Sequence, residues 1–408
     1  MKILHIGNND IYGDKFNGFD LSKKLKAKGV ESECGVWEKN SNDESVWEIS
    51  NYRGRLLINK IISYIENKIS IQSLLYPNSF ILPFNKRFRS ADVIHYHLIH
   101  TGYFSIAALP ILTHLKPSVW TLHDPWAMTG HCVYPYDCGK WEIGCGNCPR
   151  LKTDIPINKD NTALMWKIKK KIYQRSKINI VVASKYMLKM AERSPLLSGF
   201  NLHHIPFGLN IDLYRPTNID EARKKLGIPL DSFVISFRST NNEFKGLSYI
   251  KIILQKLKTE KKICLLTFQE KGLLNEFKKK YQIIESGWIT DHKEMVTAYN
   301  ASDVFLMPST MEAFGMMAIE AMLCAKPVIT FSGTSLSEII FAPNGGISVP
   351  MGDSDALAKE IIKMIENPQY RKRLGENARQ IASQHYDEKK YIKRIIELYS
   401  NVIKMNNH

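Results

Sequence analysis

Two carboxylates and a helix start give the chain its first chemical signal. In MPSTMEAFGMMAIEAMLCAKPVI, Met307 to Ile329, a buried strand pattern ends at Met307 and a polar turn follows. A helix pattern then begins near Phe314 and Gly315 and closes before the strand PVITF. Glu312 falls in the turn, and Glu320 about two turns into the helix. Amide groups at a helix start attract anions, and Gly315 has no side chain to obstruct them. The backbone amides of Phe314, Gly315 and Met316 together with the two glutamates suit a phosphorylated sugar, amides for phosphate and carboxylates for hydroxyls. A surface cap beside one solvated glutamate fits the same spacing.

Other reactive types gather at strand ends. Asp92–Tyr96 and Val119–Leu122 read as strands, and His97, His100 and His123 follow them. Thr101–Leu115 reads as the helix between, giving a βαβ unit and a parallel sheet, whose ligands bind beyond the carboxyl ends of its strands. Arg238 and Lys245 follow the strand Phe233–Phe237. Two cations there can stabilise a departing diphosphate without a metal ion. The loop after the first strand, Lys2–Ile6, carries Gly7, Gly13 and Gly18 but not the GxGxxG spacing of dinucleotide sites. Asp353-Ser354-Asp355 has the spacing of a metal-binding DxD, yet it precedes the helix pattern Ala356–Glu366, where Asp is the usual N-cap.

Cys132, Cys138, Cys145 and Cys148 place four of the chain's seven cysteines in one short segment. Cys145-Gly-Asn-Cys148 is a knuckle of the kind that offers two thiolates to one metal. Structural zinc, transient disulfides and free thiols all fit; four thiolates would leave zinc no open position for chemistry. Cys34, Cys264 and Cys324 sit in regular patterns as buried apolar groups.

EAFGMMAIE resembles the Glu-x7-Glu motif of the retaining glycosyltransferases of family four, which have the GT-B fold. The resemblance implies an α/β chain of two doubly wound Rossmann-like domains facing a central cleft. It places an acceptor-side domain at 1–214, a nucleotide-sugar domain at 215–385, and a C-terminal helix, 386–408, crossing back to the first. FGLNIDLYRP, Phe207–Pro216, is similar to the family's interdomain connector. By the same resemblance His123 and Glu312 act at the transferred sugar. Gly18, Arg238, Lys245 and the Phe314–Met316 amides hold the donor phosphates and sugar, and Glu320 the ribose. The segment from His123 to Pro149 resembles the HDxWxxTGxC…C…CGxCP signature of a subset linked to O-antigen, capsule and exopolysaccharide. The implied donor is a UDP- or GDP-linked sugar and the implied acceptor a saccharide on polyprenyl diphosphate, with no cofactor for catalysis. Epimerases and phosphorylases share the architecture, but Glu-x7-Glu and the absence of a recognisable pyridoxal-phosphate site argue against them.

Length and charge set the remaining bounds. At 408 residues the chain suits two domains, and no run of 18 apolar residues suggests a membrane span. MKILHI enters a strand pattern directly, so a cytoplasmic location is expected. The net charge of +16 admits nucleic acid, anionic lipid or phosphorylated small molecules. A zinc-containing nucleic-acid binder would need basic and aromatic residues arranged around its knuckle, and Lys140, Trp141 and Arg150 make only part of that case, so no nucleic-acid partner is expected. Arg53 to Arg89 has seven basic residues, one acidic residue and apolar residues at helical spacing; Lys167 to Lys177 has six basic residues and no acidic one. Both suit the anionic inner face of the plasma membrane, and both also suit a helix with a solvated basic face.

Overall fold

A computed structural model describes residues 1–11, 16–153 and 155–406. Gly13 and the last two residues of the tail lie outside these. The described chain forms two compact units, Met1–Pro206 with Ile392–His408, and Phe207–Tyr391. The chain therefore passes between units at 206/207 and 391/392, against the 214/215 and 385/386 read from sequence.

The first unit is built on seven parallel strands: β1 Lys2–Asn9, β2 Glu31–Glu38, β3 Val46–Glu48, β4 Val93–Tyr96, β5 Ser118–Leu122, β6 Asn179–Val182 and β7 Asn201–His204. They lie in the order β3-β2-β1-β4-β5-β6-β7. Their central stretches are apolar on both faces, as a sheet covered by helices on both sides requires. The order reverses between β1 and β4, and His5 pairs with His95 across that junction.

The second unit has six parallel strands: β8 Phe233–Ser239, β9 Ile263–Gln269, β10 Gln282–Gly287, β11 Val304–Met307, β12 Val328–Phe331 and β13 Ile347–Val349. Their order is β10-β9-β8-β11-β12-β13, reversing between β8 and β11. Phe237, Ile253, Leu265, Leu306, Ile329 and Ile361 belong to one apolar cluster that fixes helices to a face of this sheet.

Two local readings change and one is borne out. The helix expected over Thr101–Leu115 is a 3-10 turn at Ile106–Ala108 and an α-helix at Leu109–Leu115. Pro110 sits at the start of that α-helix, where its missing N–H costs nothing. The basic run Lys167–Lys177 is not a uniformly solvated face, because Lys169 is fully buried and donates to the carbonyls of Trp126 and Thr129 at 2.7 and 2.9 Å. Asp353 is an N-cap, accepting from the Ala356 amide at 2.9 Å, while Asp355 pairs with Lys256 at 2.7 Å.

Candidate functional site

In the second unit the site residues meet where the strand order reverses. The chain leaves β8 through Arg238, makes a short turn at Glu243–Lys245 and enters the helix Leu247–Lys256 at Gly246. It leaves β11 at Met307 and reaches Glu312 before the helix Met316–Leu323. Gly246 has φ 80°, and a Cβ there would stand 2.0 Å from the Pro308 carbonyl oxygen. Only glycine allows the two loops to come this close. Thr310 N–H donates to the Phe244 carbonyl at 2.9 Å and ties them further. The result is an ion pair between Lys245 Nζ and Glu312 Oε2 at 2.8 Å, both side chains 12% exposed. Ser335 Oγ donates to the Glu312 carbonyl at 2.9 Å, fixing the turn from below.

Gly315 caps the helix Met316–Leu323 with φ 96°, a left-handed conformation that suits glycine. Phe314 has its ring buried edge-on against Phe207 and Tyr386, so its backbone is the part left for a ligand. Arg238 Nε donates to Gln269 Oε1. Glu320, 5% exposed, accepts from the hydroxyls of Tyr299 at 3.0 Å and Tyr214 at 3.3 Å. The Tyr214 oxygen also meets His292 Nδ1 at 2.9 Å. The two motif glutamates therefore differ: one faces a cation, the other two phenols.

In the first unit the histidines at the strand ends form a stack. His5 Nδ1 lies 3.1 Å from His97 Nε2, and His97 Nδ1 lies 3.4 Å from His123 Nε2. His95 stacks on His97 with ring centroids 4.2 Å apart and is held separately by the Tyr399 hydroxyl at 2.6 Å and Thr121 Oγ1 at 2.7 Å. Among the described residues the group compact enough to hold a metal ion is His5, His95 and His97, not Cys132, Cys138, Cys145 and Cys148 as expected from their spacing. Their nitrogens are largely committed to one another, to His123, to Tyr399 and to Thr121, so the group reads as a hydrogen-bonded stack. Burial lowers all four imidazoles, His5 to about 3, His123 to about 4, and His95 and His97 in the same direction. Gly18, at φ 86°, caps the stack: a Cβ there would lie 2.6 Å from His97 Nε2 and 2.9 Å from His5 Nδ1. His100 turns aside, pairing with Asp124 at 3.2 Å and stacking on Trp126.

Sequence reading missed His5, His95, Gly246, Tyr214 and Tyr299. A signal existed for His95, which lies two residues before His97 and so shares its face, as the alternation rule would have shown.

The cysteine segment is folded against the helix Thr162–Tyr173. Gly146 N–H donates to Thr162 Oγ1 at 3.0 Å and Trp166 Nε1 to the Trp141 carbonyl at 2.8 Å. Cys132, Cys138, Cys145, Cys148 and His131 line one pocket. Gly130 N–H points at Cys145 Sγ at 3.3 Å. His131 is buried, and neither of its ring nitrogens has a hydrogen-bond partner.

Residues 218–381 match the family model described as "Glycosyl transferases group 1". The Escherichia coli protein named "Putative colanic acid biosynthesis glycosyl transferase WcaC" is 22% identical over 62% of this chain and 63% of its own length. The Staphylococcus aureus capsular polysaccharide biosynthesis glycosyltransferase CapM is 25% identical over 48% of this chain and 53% of its own. The chain thus spans between about half and two thirds of the length of these relatives. The crystal structure of Anabaena HepE in complex with UDP-glucose superposes with TM-score 0.68 at 18% identity, covering 98% of this chain and all of that one.

The histidine stack makes stability sensitive to acid. Unfolded histidines bind protons near pH 6.5, which the buried ones refuse until far lower pH. The stabilisation is therefore complete above 6.5 and is lost as pH falls toward 4. A single group moved from 6.5 to about 4 contributes on the order of 3 kcal/mol. The melting temperature should begin to drop just below pH 6.5, above the range where carboxylates protonate; a flat profile between pH 7 and 5 would contradict the buried neutral stack. Residues 218–381 thus match the group 1 glycosyl transferase model, within a chain that has the two-sheet GT-B fold.

Proposed function

We propose that the protein is a retaining glycosyltransferase that moves a sugar from a nucleotide-diphosphate donor to a lipid-linked saccharide acceptor in surface-polysaccharide assembly. The observation that carries this reading is the Lys245–Glu312 pair at the reversal point of the second sheet, beside the Gly315 helix start. The bond from the anomeric carbon to the diphosphate oxygen breaks and its electrons pass to the diphosphate. A bond forms to an acceptor hydroxyl oxygen, whose proton passes to the departing diphosphate. Lys245 and Arg238 answer the charge that grows on the departing oxygen, an effect larger in the transition state than before it. Glu312 then turns to the sugar, Glu320 serves the ribose end of the nucleotide, and His123 contacts the transferred sugar. HepE, a structural neighbour, is described in complex with UDP and with UDP-glucose, which supports a nucleotide-sugar donor. CapM and WcaC, by their names, act in capsule and colanic acid assembly, which supports a surface saccharide product.

The acceptor's lipid has a matching surface. The helix Arg55–Ile69 is held to the first unit by polar groups: Glu66 accepts from the amides of Ser73, Leu74 and Leu75, Asn59 donates to the Gly102 carbonyl, and Ser63 meets the Tyr76 hydroxyl. Its apolar residues consequently face out, with Leu57 63%, Tyr64 65% and, beyond the helix, Phe84 79% exposed. Arg53, Lys60, Lys68, Lys86 and Arg89 lie along the same stretch. Apolar side chains among basic ones are what an anionic bilayer surface binds. No helix among the described residues is long and apolar enough to cross a membrane.

Structural zinc is proposed for the cysteine segment, whose four thiols line one pocket but are not, as they stand, a group compact enough to hold an ion. Cys132, Cys138, Cys145 and Cys148 would be its ligands, the Gly130 amide would steady the Cys145 sulfur, and His131 supplies a further neutral nitrogen. Bound there, zinc would supply folding energy to the loop.

Three experiments bear on these readings. With donor varied, Lys245→Ala should weaken donor use and slow turnover by about 100-fold or more. Glu312→Ala, which releases the lysine, should spare donor binding and depress turnover; near-normal rates in both variants would remove the assignment. Cys145→Ser should lower bound zinc and melting temperature together, and unchanged metal analysis would discard zinc. Flotation with liposomes should depend on anionic lipid and fall on replacing Leu57 and Tyr64 by serine; recovery independent of lipid charge would discard the membrane surface.

A further inference from the structure

The geometry points to Gln269 as a positioning residue that orients the guanidinium of Arg238, from a backbone conformation at the end of β9 that ordinarily belongs to glycine. Arg238 Nε–H donates to Gln269 Oε1. Arginine carries donors only, so the amide must present its oxygen.

The backbone of Gln269 gives this contact its weight. Its φ is 84°. The seven other non-glycine residues with positive φ among the described residues lie between 46° and 59°, close to the small left-handed basin open to ordinary side chains. Gln269 falls instead between the site glycines Gly246 and Gly315, at 80° and 96°. A residue kept in so sparsely populated a conformation is held there by its surroundings, and such residues gather at binding sites.

Strand register shows what the departure achieves. In the parallel pair β8 and β9, Arg238 stands opposite Phe268 and Ser239 opposite Gln269. Paired residues share a face and neighbours alternate, so a regular strand would turn Gln269 to the face away from Arg238. Phe268 keeps its regular place, buried against Tyr299 and Phe305. Gln269 leaves the pleat, and its amide reaches Arg238.

The next residue extends the hold. Glu270 N–H donates to the Ser239 carbonyl at 2.9 Å and closes the end of the two strands. Its carboxylate accepts from Thr240 Oγ1, from Asn241 Nδ2 at 3.1 Å and from the Asn241 amide at 3.3 Å. Gln269 and Glu270 therefore fix successive parts of one segment, the arginine near the end of β8 and the loop that leads from it toward Lys245.

The chemical consequence rests on the function proposed above. A guanidinium turns about its Cδ–Nε bond, so engaging Nε–H sets the plane and with it the directions of the terminal N–H groups. Gln269 is uncharged and does this without adding a charge that opposes a diphosphate. Ordering the arginine before the ligand arrives removes part of the cost of binding.

Gln269→Gly in the full chain separates side chain from backbone, because glycine suits the φ and removes the acceptor. The melting temperature should stay close to wild type, relief of the backbone offsetting the lost contact. The Kd for UDP or GDP, whichever the protein binds, should rise by about tenfold. Wild-type affinity in that variant overturns the inference, whatever its melting temperature. Nitrogen-15 labelling of arginine reads the contact with no ligand present, the Arg238 Nε–H being assigned by its loss in Arg238→Lys. That proton should exchange slowly in the wild type and fast in Gln269→Gly; fast exchange in the wild type overturns the inference. Slow exchange in a protein that binds neither UDP nor GDP would refute the nucleotide donor and leave the anchoring of Arg238 by Gln269 standing.

Discussion

The second unit turns on a single close approach, the backbone of Gly246 against the carbonyl of Pro308. Were the loops after β8 and β11 a side chain further apart, Lys245 could not reach Glu312. The pair is largely withdrawn from water, where a lone ammonium or a lone carboxylate is costly to hold. Each residue therefore keeps the other ordered. A diphosphate carries more negative charge than one carboxylate, so it is the kind of ligand that can take the lysine from its partner. On the function proposed above, the partner would then be released toward the sugar. An ion pair that is worth little as a source of stability can thus serve as a placeholder for a charged ligand.

Much of this arrangement was legible in the sequence because it is local. The strand–turn–helix order around Glu312, the glycine at the helix start and the Asp353 cap all follow from residues within a few positions of one another. Alternation of apolar strands with helical patterns announced two parallel sheets. What escaped were features made by residues far apart in the chain. Nothing near Lys169 shows that Trp126 and Thr129, some forty residues earlier, will present their carbonyls to it. Glu320 likewise acquires its two phenols from Tyr214 and Tyr299, which no helical spacing would bring to it.

The helix Arg55–Ile69 shows a different limit. Its composition was plain, but periodicity alone cannot say which face turns inward. An amphipathic helix ordinarily packs its apolar stripe on the core. Here the anchors are Asn59, Ser63 and Glu66, whose hydrogen bonds are satisfied only when that side faces the protein. Once Glu66 has accepted three amides, turning the helix over would strand a carboxylate and three N–H groups together. The polar side is thereby the fixed one, and the apolar side is left to whatever lies outside.

The two units hold their polar groups by opposite physical means. In the second, formal charges are held partly buried and opposed, ready to be exchanged for the charge of a ligand. In the first, four imidazoles are kept neutral by burial and packed against one another. Neutrality is what makes the stack tolerable: rings with centroids 4.2 to 5.7 Å apart could not all be protonated without strong mutual repulsion in so dry a setting.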